Sequence, residues 1–142
     1  VDFLILDLPP GTGDIQLTIV QTAELDGVVV VTTPQEVALI DARKAIGLFE
    51  RVETPILGII ENMSYFQCPS DGKIYHIFGE GGGEREAAKL GVPLLGKIPL
   101  DISTRFGGDE GRPVALEDPG QNPVSAAFRQ VAEQCARVVL DR

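Results

Sequence analysis

Leu4-Ile5-Leu6-Asp7-Leu8-Pro9-Pro10-Gly11-Thr12-Gly13-Asp14 decides how the rest of the chain is read. An apolar run ends in a carboxylate, a stiff proline-glycine turn follows, and Asp14 stands where it can cap a helix over Asp14 to Glu24. Three further apolar runs, Gly27 to Thr32, Ile56 to Glu61 and Leu94 to Ile98, join Phe3 to Leu8. They are continuous rather than alternating, as expected of strands covered on both faces of a parallel sheet. Gln35 to Val52, Gly83 to Leu90 and Val124 to Leu140 have helical period. In the first of these, Val37, Ile40, Ala45 and Leu48 form the expected apolar face, away from Asp41, Arg43 and Lys44.

Strands alternating with helices require right-handed crossovers, hence an α/β fold: a doubly wound, mostly parallel sheet with helices on both faces. In such sheets ligands bind at the carboxyl ends of the strands, so function belongs just after Leu6, Val31, Ile60 and Ile98. The long connection from Asn62 to Gly83 is then expected to be functional or mobile. Asp7 can hold a water of a hydrated Mg²⁺, and Pro9 to Gly13 can turn backbone N–H groups toward an anion. An aspartate before a proline turn with no ligand is the plainer alternative.

The 142 residues, 44% apolar and 23% charged, are sized for about one domain and can bury a core without disulfides or a structural metal. Cys68 and Cys135 make no disulfide framework, which fits a reducing compartment such as the cytoplasm. A net charge of −9 opposes nucleic acid and anionic lipid. No apolar run approaches the ~20 residues that span a bilayer, and Arg137 and Arg142 are too few for a basic membrane-surface helix. Neither nucleic acid nor membrane is an expected partner. The chain opens with Val1 inside an apolar run, as a piece cut from a longer protein would.

The opening string resembles the Mrp/ApbC family of deviant P-loop ATPases, relatives of MinD and ParA whose members carry iron–sulfur clusters. Val31-Thr32-Thr33-Pro34-Gln35, Glu61-Asn62-Met63-Ser64-Tyr65-Phe66, Phe78-Gly79-Glu80-Gly81-Gly82-Gly83 and Ile98-Pro99-Leu100-Asp101 extend the resemblance in family order. It implies a MinD-like P-loop NTPase fold and an ATP-binding, ATP-hydrolysing carrier or assembly protein for clusters, with apo-protein clients. It makes Asp7 the catalytic carboxylate on the Mg²⁺ water and Pro10-Gly11 the γ-phosphate switch. Asn62 becomes the reader of the adenine edge, and Pro99, Leu100 and Asp101 the wall of the base pocket. An amide offers both donor and acceptor to a purine, which makes Asn62 chemically apt; standing alone it reads as a cap or turn residue.

Two departures qualify that resemblance. No Gly-Lys-Ser or Gly-Lys-Thr occurs, and Gly81-Gly82-Gly83 lacks the lysine of a phosphate loop. The expectation is therefore the carboxyl-terminal part of a single MinD-like ATPase domain, residues 1–142, lacking its P-loop unit, inactive alone and poor at binding nucleotide. Its uncovered sheet edge should drive self-association. The family's Cys-Pro-x-Cys stands here as Cys68-Pro69-Ser70-Asp71, so a homodimer bridging a cluster would supply two Cys68 thiolates, with Asp71 in the second cysteine position. Cys135 reads as core, His76 as an ordinary loop residue, and Asp101, Asp109 and Glu110 around Gly107-Gly108 as a solvated acidic loop. A ParA/MinD-like positioning ATPase and a non-catalytic interaction module are the competing functions. Asn62 to Pro69 favours the cluster carrier over the positioning ATPase.

Overall fold

A computed structural model of the chain describes residues 1–141, so Arg142, weighed above with Arg137, lies outside the described residues. The centre is a parallel sheet of β1 (Val28–Thr32), β2 (Ile56–Glu61) and β5 (Leu94–Lys97), in the order β1-β2-β5. β2 is the middle strand, with Val30 opposite Ile59 on one side and Glu61 opposite Lys97 on the other. Helices cover both faces. The α2 helix (Glu36–Arg51) and α3 (Gly82–Leu90) close one face around Val30, Ala42, Ile46, Ile59 and Ala87. The long α5 (Pro123–Leu140) closes the other through Val131, packed with Ile60, Leu95 and Ile98. This is the two-faced α/β arrangement that the continuous apolar runs dictate.

Packing on the α5 face depends on Gly96, where a Cβ would fall 2.5 Å from Val131 Cγ2. Asn122 caps α5 by accepting from the Val124 and Ser125 N–H groups, and Pro123 follows at the first position, where its missing N–H costs nothing. Cys135 is half-buried against this cluster and burial pushes its thiol pKa up, in keeping with a core role.

The expected first strand, Phe3 to Leu8, is not one. Residues 1–9 form no ladder, and Leu4 and Ile5 are 81% and 88% exposed. A strand exists only where its N–H and C=O groups find a partner ladder, and no described segment offers one beside β1. Only Leu8 packs inward, against Val20, Val28 and Phe49. Asp14 is the first residue of α1 (Asp14–Thr22), not its cap; Gly13 holds that place without a side-chain bond.

The inward face of α2 is also displaced from the expected one: Leu39, Ala42, Ile46 and Phe49 are buried, while Val37 and Ile40 are exposed. Arg43, assigned to the solvent side, reaches across to α3 and donates to the buried Glu86 carboxylate at 2.5 and 3.0 Å. The acidic stretch after Ile98 is not a loop but α4 (Ile102–Asp109), in which Asp109 pairs with Arg105 at 3.2 Å. The connection from Asn62 to Gly83 contains a small antiparallel hairpin, β3 (Phe66–Gln67) and β4 (Ile74–Tyr75).

Candidate functional site

The carboxyl ends of all three parallel strands meet in one stitched region. The Asn62 N–H donates to the Thr32 carbonyl at 2.7 Å, the Ile98 N–H to Glu61 at 2.9 Å and the Ser64 N–H to Ile98 at 3.0 Å. Beyond the strands the ladder continues as a parallel bridge between Phe66 and Leu100, with the Leu100 N–H donating to Tyr65 at 2.8 Å. The turn after β2 and the turn after β5 are therefore held side by side.

Asn62 opens the first of these turns. Its Oδ1 accepts from the following Met63 N–H at 2.9 Å, and Met63 adopts a left-handed φ of 51°. The amide NH₂ of Asn62 and the second lone pair of its carbonyl have no protein partner among the described residues. A donor and an acceptor side by side on a half-buried amide match the edge of a purine.

Glu61, immediately before it, is 1% exposed. Its carboxylate accepts from Ser64 Oγ at 2.5 Å and from the Gly83 N–H at 2.6 Å. Gly83 must be glycine for that approach, since a Cβ there would stand 2.8 Å from Glu61 Oε2. Sequence reading passed over Glu61, although an acid closing the otherwise apolar Ile59-Ile60 run was the signal. The Thr33 hydroxyl beyond β1 is buried without a hydrogen-bond partner among the described residues.

Cys68 begins the hairpin loop. Its N–H donates to Lys73 at 2.9 Å and its carbonyl accepts from Gly72 at 2.8 Å. Asp71 shapes this loop: one carboxylate oxygen accepts from the Lys73 N–H at 2.8 Å, the other from Tyr75 O–H at 2.7 Å. Those bonds, Tyr75 foremost, hold the Asp71 carboxyl below the usual range, with the nearby Cys68 thiol adding to the effect, and in return they raise the Tyr75 hydroxyl. Asp71 is thus occupied in holding the turn, with the Cys68 thiol among the groups that hydrogen-bond its carboxylate. His76 stands 3.4 Å from Glu80, and no group of three or more His, Cys, Asp or Glu side chains among the described residues could hold a metal ion.

The structure brings Cys68 and the Pro99-Leu100-Asp101 turn together in one groove of about 350 Å³, walled also by Tyr65 and Val124. Within that groove Asp101 caps α4. Burial pushes its carboxyl up, but donation from the Ser103 and Thr104 hydroxyls and the Thr104 N–H outweighs this and leaves the pKa low.

Asp7, Pro10 and Gly11 are not gathered into this region. They lie on the exposed stretch before α1, where Gly11 turns through φ 98°. What organises them is Gln16, a buried side chain whose Nε2 donates to the Pro9 and Pro10 carbonyls at 2.6 and 2.9 Å. No hydrogen bond or ion pair engages the Asp7 carboxylate among the described residues.

Residues 1–136 match the family described as ParA, NUBPL iron-transfer P-loop NTPase. A curated "iron-sulfur cluster carrier protein" of Pyrococcus furiosus is 51% identical over 134 residues, covering 94% of this chain and 45% of that protein. The chain thus spans about half the length of the curated relatives it matches. Among solved structures, a nucleotide-binding protein of Archaeoglobus fulgidus in complex with ADP superposes with a TM-score of 0.70 at 44% identity, over 79% of this chain and 46% of that one. The cell division ATPase MinD of Pyrococcus furiosus follows at 0.60 and 26%, over 80% and 43%.

Proposed function

Because the chain belongs to the ParA family of NUBPL-type iron-transfer P-loop NTPases, we propose that it serves in an ATP-driven carrier that delivers iron–sulfur clusters to apo-protein clients in the cytoplasm. In this reading residues 1–142 are the carboxyl-terminal part of one MinD-like ATPase domain. Two facts support that: the relatives are about twice as long, and the 142 residues hold no lysine-bearing phosphate loop.

The observation that carries the reading is the shared groove, lined by Cys68 and by the Pro99-Leu100-Asp101 turn that the resemblance assigns to the base. Asn62, with its unengaged NH₂ and carbonyl lone pair, reads the adenine edge. Asp101 contributes through shape, because its carboxylate is occupied in capping α4. Asp7 suits the switch: an exposed, unengaged carboxylate can accept from a water of hydrated Mg²⁺, which when bound neutralises phosphate charge. Pro10 and Gly11, held through Gln16, form the turn that senses the γ-phosphate.

The cargo requires a second copy. One chain supplies Cys68 but, among the described residues, no three-ligand set, so a homodimer with Cys68 at its axis is what brings two such thiolates to one cluster. Two thiolates hold a cluster weakly, as suits a protein that must give it away.

Anaerobic reconstitution of the full-length protein with iron and sulfide tests this, alongside Cys68→Ala and Cys135→Ala. A brown dimeric product lost only with Cys68→Ala is the expected result. No iron uptake by the wild type, or uptake that survives loss of Cys68, refutes it.

A further inference from the structure

Glu61 is a charged group in an expensive place. A buried carboxylate loses its hydration and is tolerated only when hydrogen-bonded or paired. Here it lies at the end of the central strand, 1% exposed, and spends both oxygens on elements distant in sequence or on the adjoining turn. The α3 helix has no capping side chain of its own: Gly81 holds the N-cap position and makes no side-chain bond. Capping alone would need only a serine or aspartate at that position. Instead the cap is provided from the strand, by the residue directly before Asn62. The same carboxylate grips Ser64, two residues after Asn62, so the Asn62-Met63 turn is clamped at both ends. Between those clamps Met63 stays in its left-handed conformation and the Asn62 N–H stays on Thr32.

From this arrangement we infer that Glu61 is a positioning residue for nucleotide recognition, fixing the Asn62 amide in register with the Pro99-Leu100-Asp101 turn. The inference rests on the nucleotide reading above and names the device that orients its base-reading side chain. Ser64 is the link between the two: its hydroxyl donates to Glu61, and its N–H donates to the Ile98 carbonyl directly before Pro99. Loss of the carboxylate frees the turn, and Asn62 can no longer present its donor and acceptor at one fixed angle. Selectivity between bases then falls more than binding as such, because phosphate contacts do not depend on this turn.

The test measures calorimetric affinities of full-length protein for ADP and GDP with Mg²⁺, in wild type, Glu61→Ala, Glu61→Gln, Asn62→Ala and Phe49→Ala. Wild type is expected to favour ADP by about tenfold or more, the order set by one two-point amide–adenine contact. Glu61→Ala and Asn62→Ala should both reduce this preference to about twofold. Glu61→Gln should keep it, since its amide carbonyl can accept from Gly83 and its NH₂ can donate to Ser64. Phe49→Ala, a core truncation packed with Val20 and Val28 at the opposite end of β1 from the turn, should lower the melting temperature and leave the ratio unchanged. A Glu61→Ala protein with the wild-type ratio overturns the positioning role while the nucleotide reading survives through Asn62→Ala. An equal fall in both affinities marks Glu61 as merely structural. Absence of any nucleotide binding by wild type overturns the nucleotide reading and this assignment with it.

Discussion

A double-mutant cycle at Gly96 and Val131 tests the contact that seats α5 on the sheet. In Gly96→Ala the new Cβ would lie 2.5 Å from Val131 Cγ2, more than 1 Å inside ordinary carbon contact. Overpacking of this kind costs about 1–3 kcal/mol. Val131→Ala alone removes two methyl groups from a side chain 6% exposed. At ~0.8 kcal/mol per buried carbon plus the cavity left behind, that costs about 2–3 kcal/mol. Together the two changes compensate. With Cγ2 gone, the nearest atoms of residue 131 to the new methyl are its Cβ at 3.7 Å and Cα at 3.9 Å, both ordinary contacts. The double variant should therefore be more stable than the sum of the singles predicts by about 2 kcal/mol. Urea unfolding of all four proteins, followed by circular dichroism, reads this directly. Additivity within ~0.5 kcal/mol, the behaviour of independent sites, would refute the placement of α5 against β5.

Gly47→Ala, inside α2 with nothing within 4 Å of the added Cβ, should stabilise by about 0.5–1 kcal/mol and raise the melting temperature a few degrees. Asp101→Ala should cost about 1 kcal/mol through loss of the α4 cap, while Asp101→Asn, an equally good cap, stays near wild type in thermal melts. The Arg43 hydrogen bond, stronger than the opposing desolvation, holds Glu86 below its ordinary pKa. Its stabilisation is therefore complete above the unfolded value of about 4.3 and is lost as pH falls through the lower folded value. With Arg43 40% exposed and screened, that contribution is about 1 kcal/mol. Glu86→Gln should flatten the acid limb of a stability-against-pH series by that amount.

Much of this fold was legible in the residues. Val28 to Thr32, Ile56 to Glu61 and Leu94 to Lys97 are unbroken apolar runs of strand length, and burial on both faces is what demands such runs. Phe3 to Leu8 carries the same pattern yet forms no strand, because a pattern states what a segment could bury and not whether a partner is beside it. The α4 helix was obscured by Gly107-Gly108, two poor helix formers, although Asp101 before Ser103-Thr104 was a readable cap signal. In α2 the inward face was misplaced because Val37 and Ile40 are apolar but face outward, leaving Leu39, Ala42, Ile46 and Phe49 to the core. Of the candidate site, the strand ends were foreseeable from the alternation of strands and helices. The Glu61 to Gly83 contact, spanning 22 residues, and the adjacency of Cys68 to Pro99 were not, since both arise from chain crossings that no local window contains.

The open flank of β1 has a consequence for symmetry. Within the sheet every ladder is parallel, and among the described strands β1 pairs with β2 alone. If two copies joined across their β1 flanks about a two-fold axis, the axis would reverse one strand against the other. Their seam would be antiparallel inside an otherwise parallel sheet, and the assembly would close at two. A head-to-tail joint, β1 of one copy against β5 of the next, would keep all strands parallel but present a fresh β1 each time, growing as a filament wherever its rotation does not close a ring. Strand direction thus separates a two-fold dimer from a head-to-tail assembly, and the sense of the seam, readable by isotope-edited infrared spectroscopy, tells which one forms.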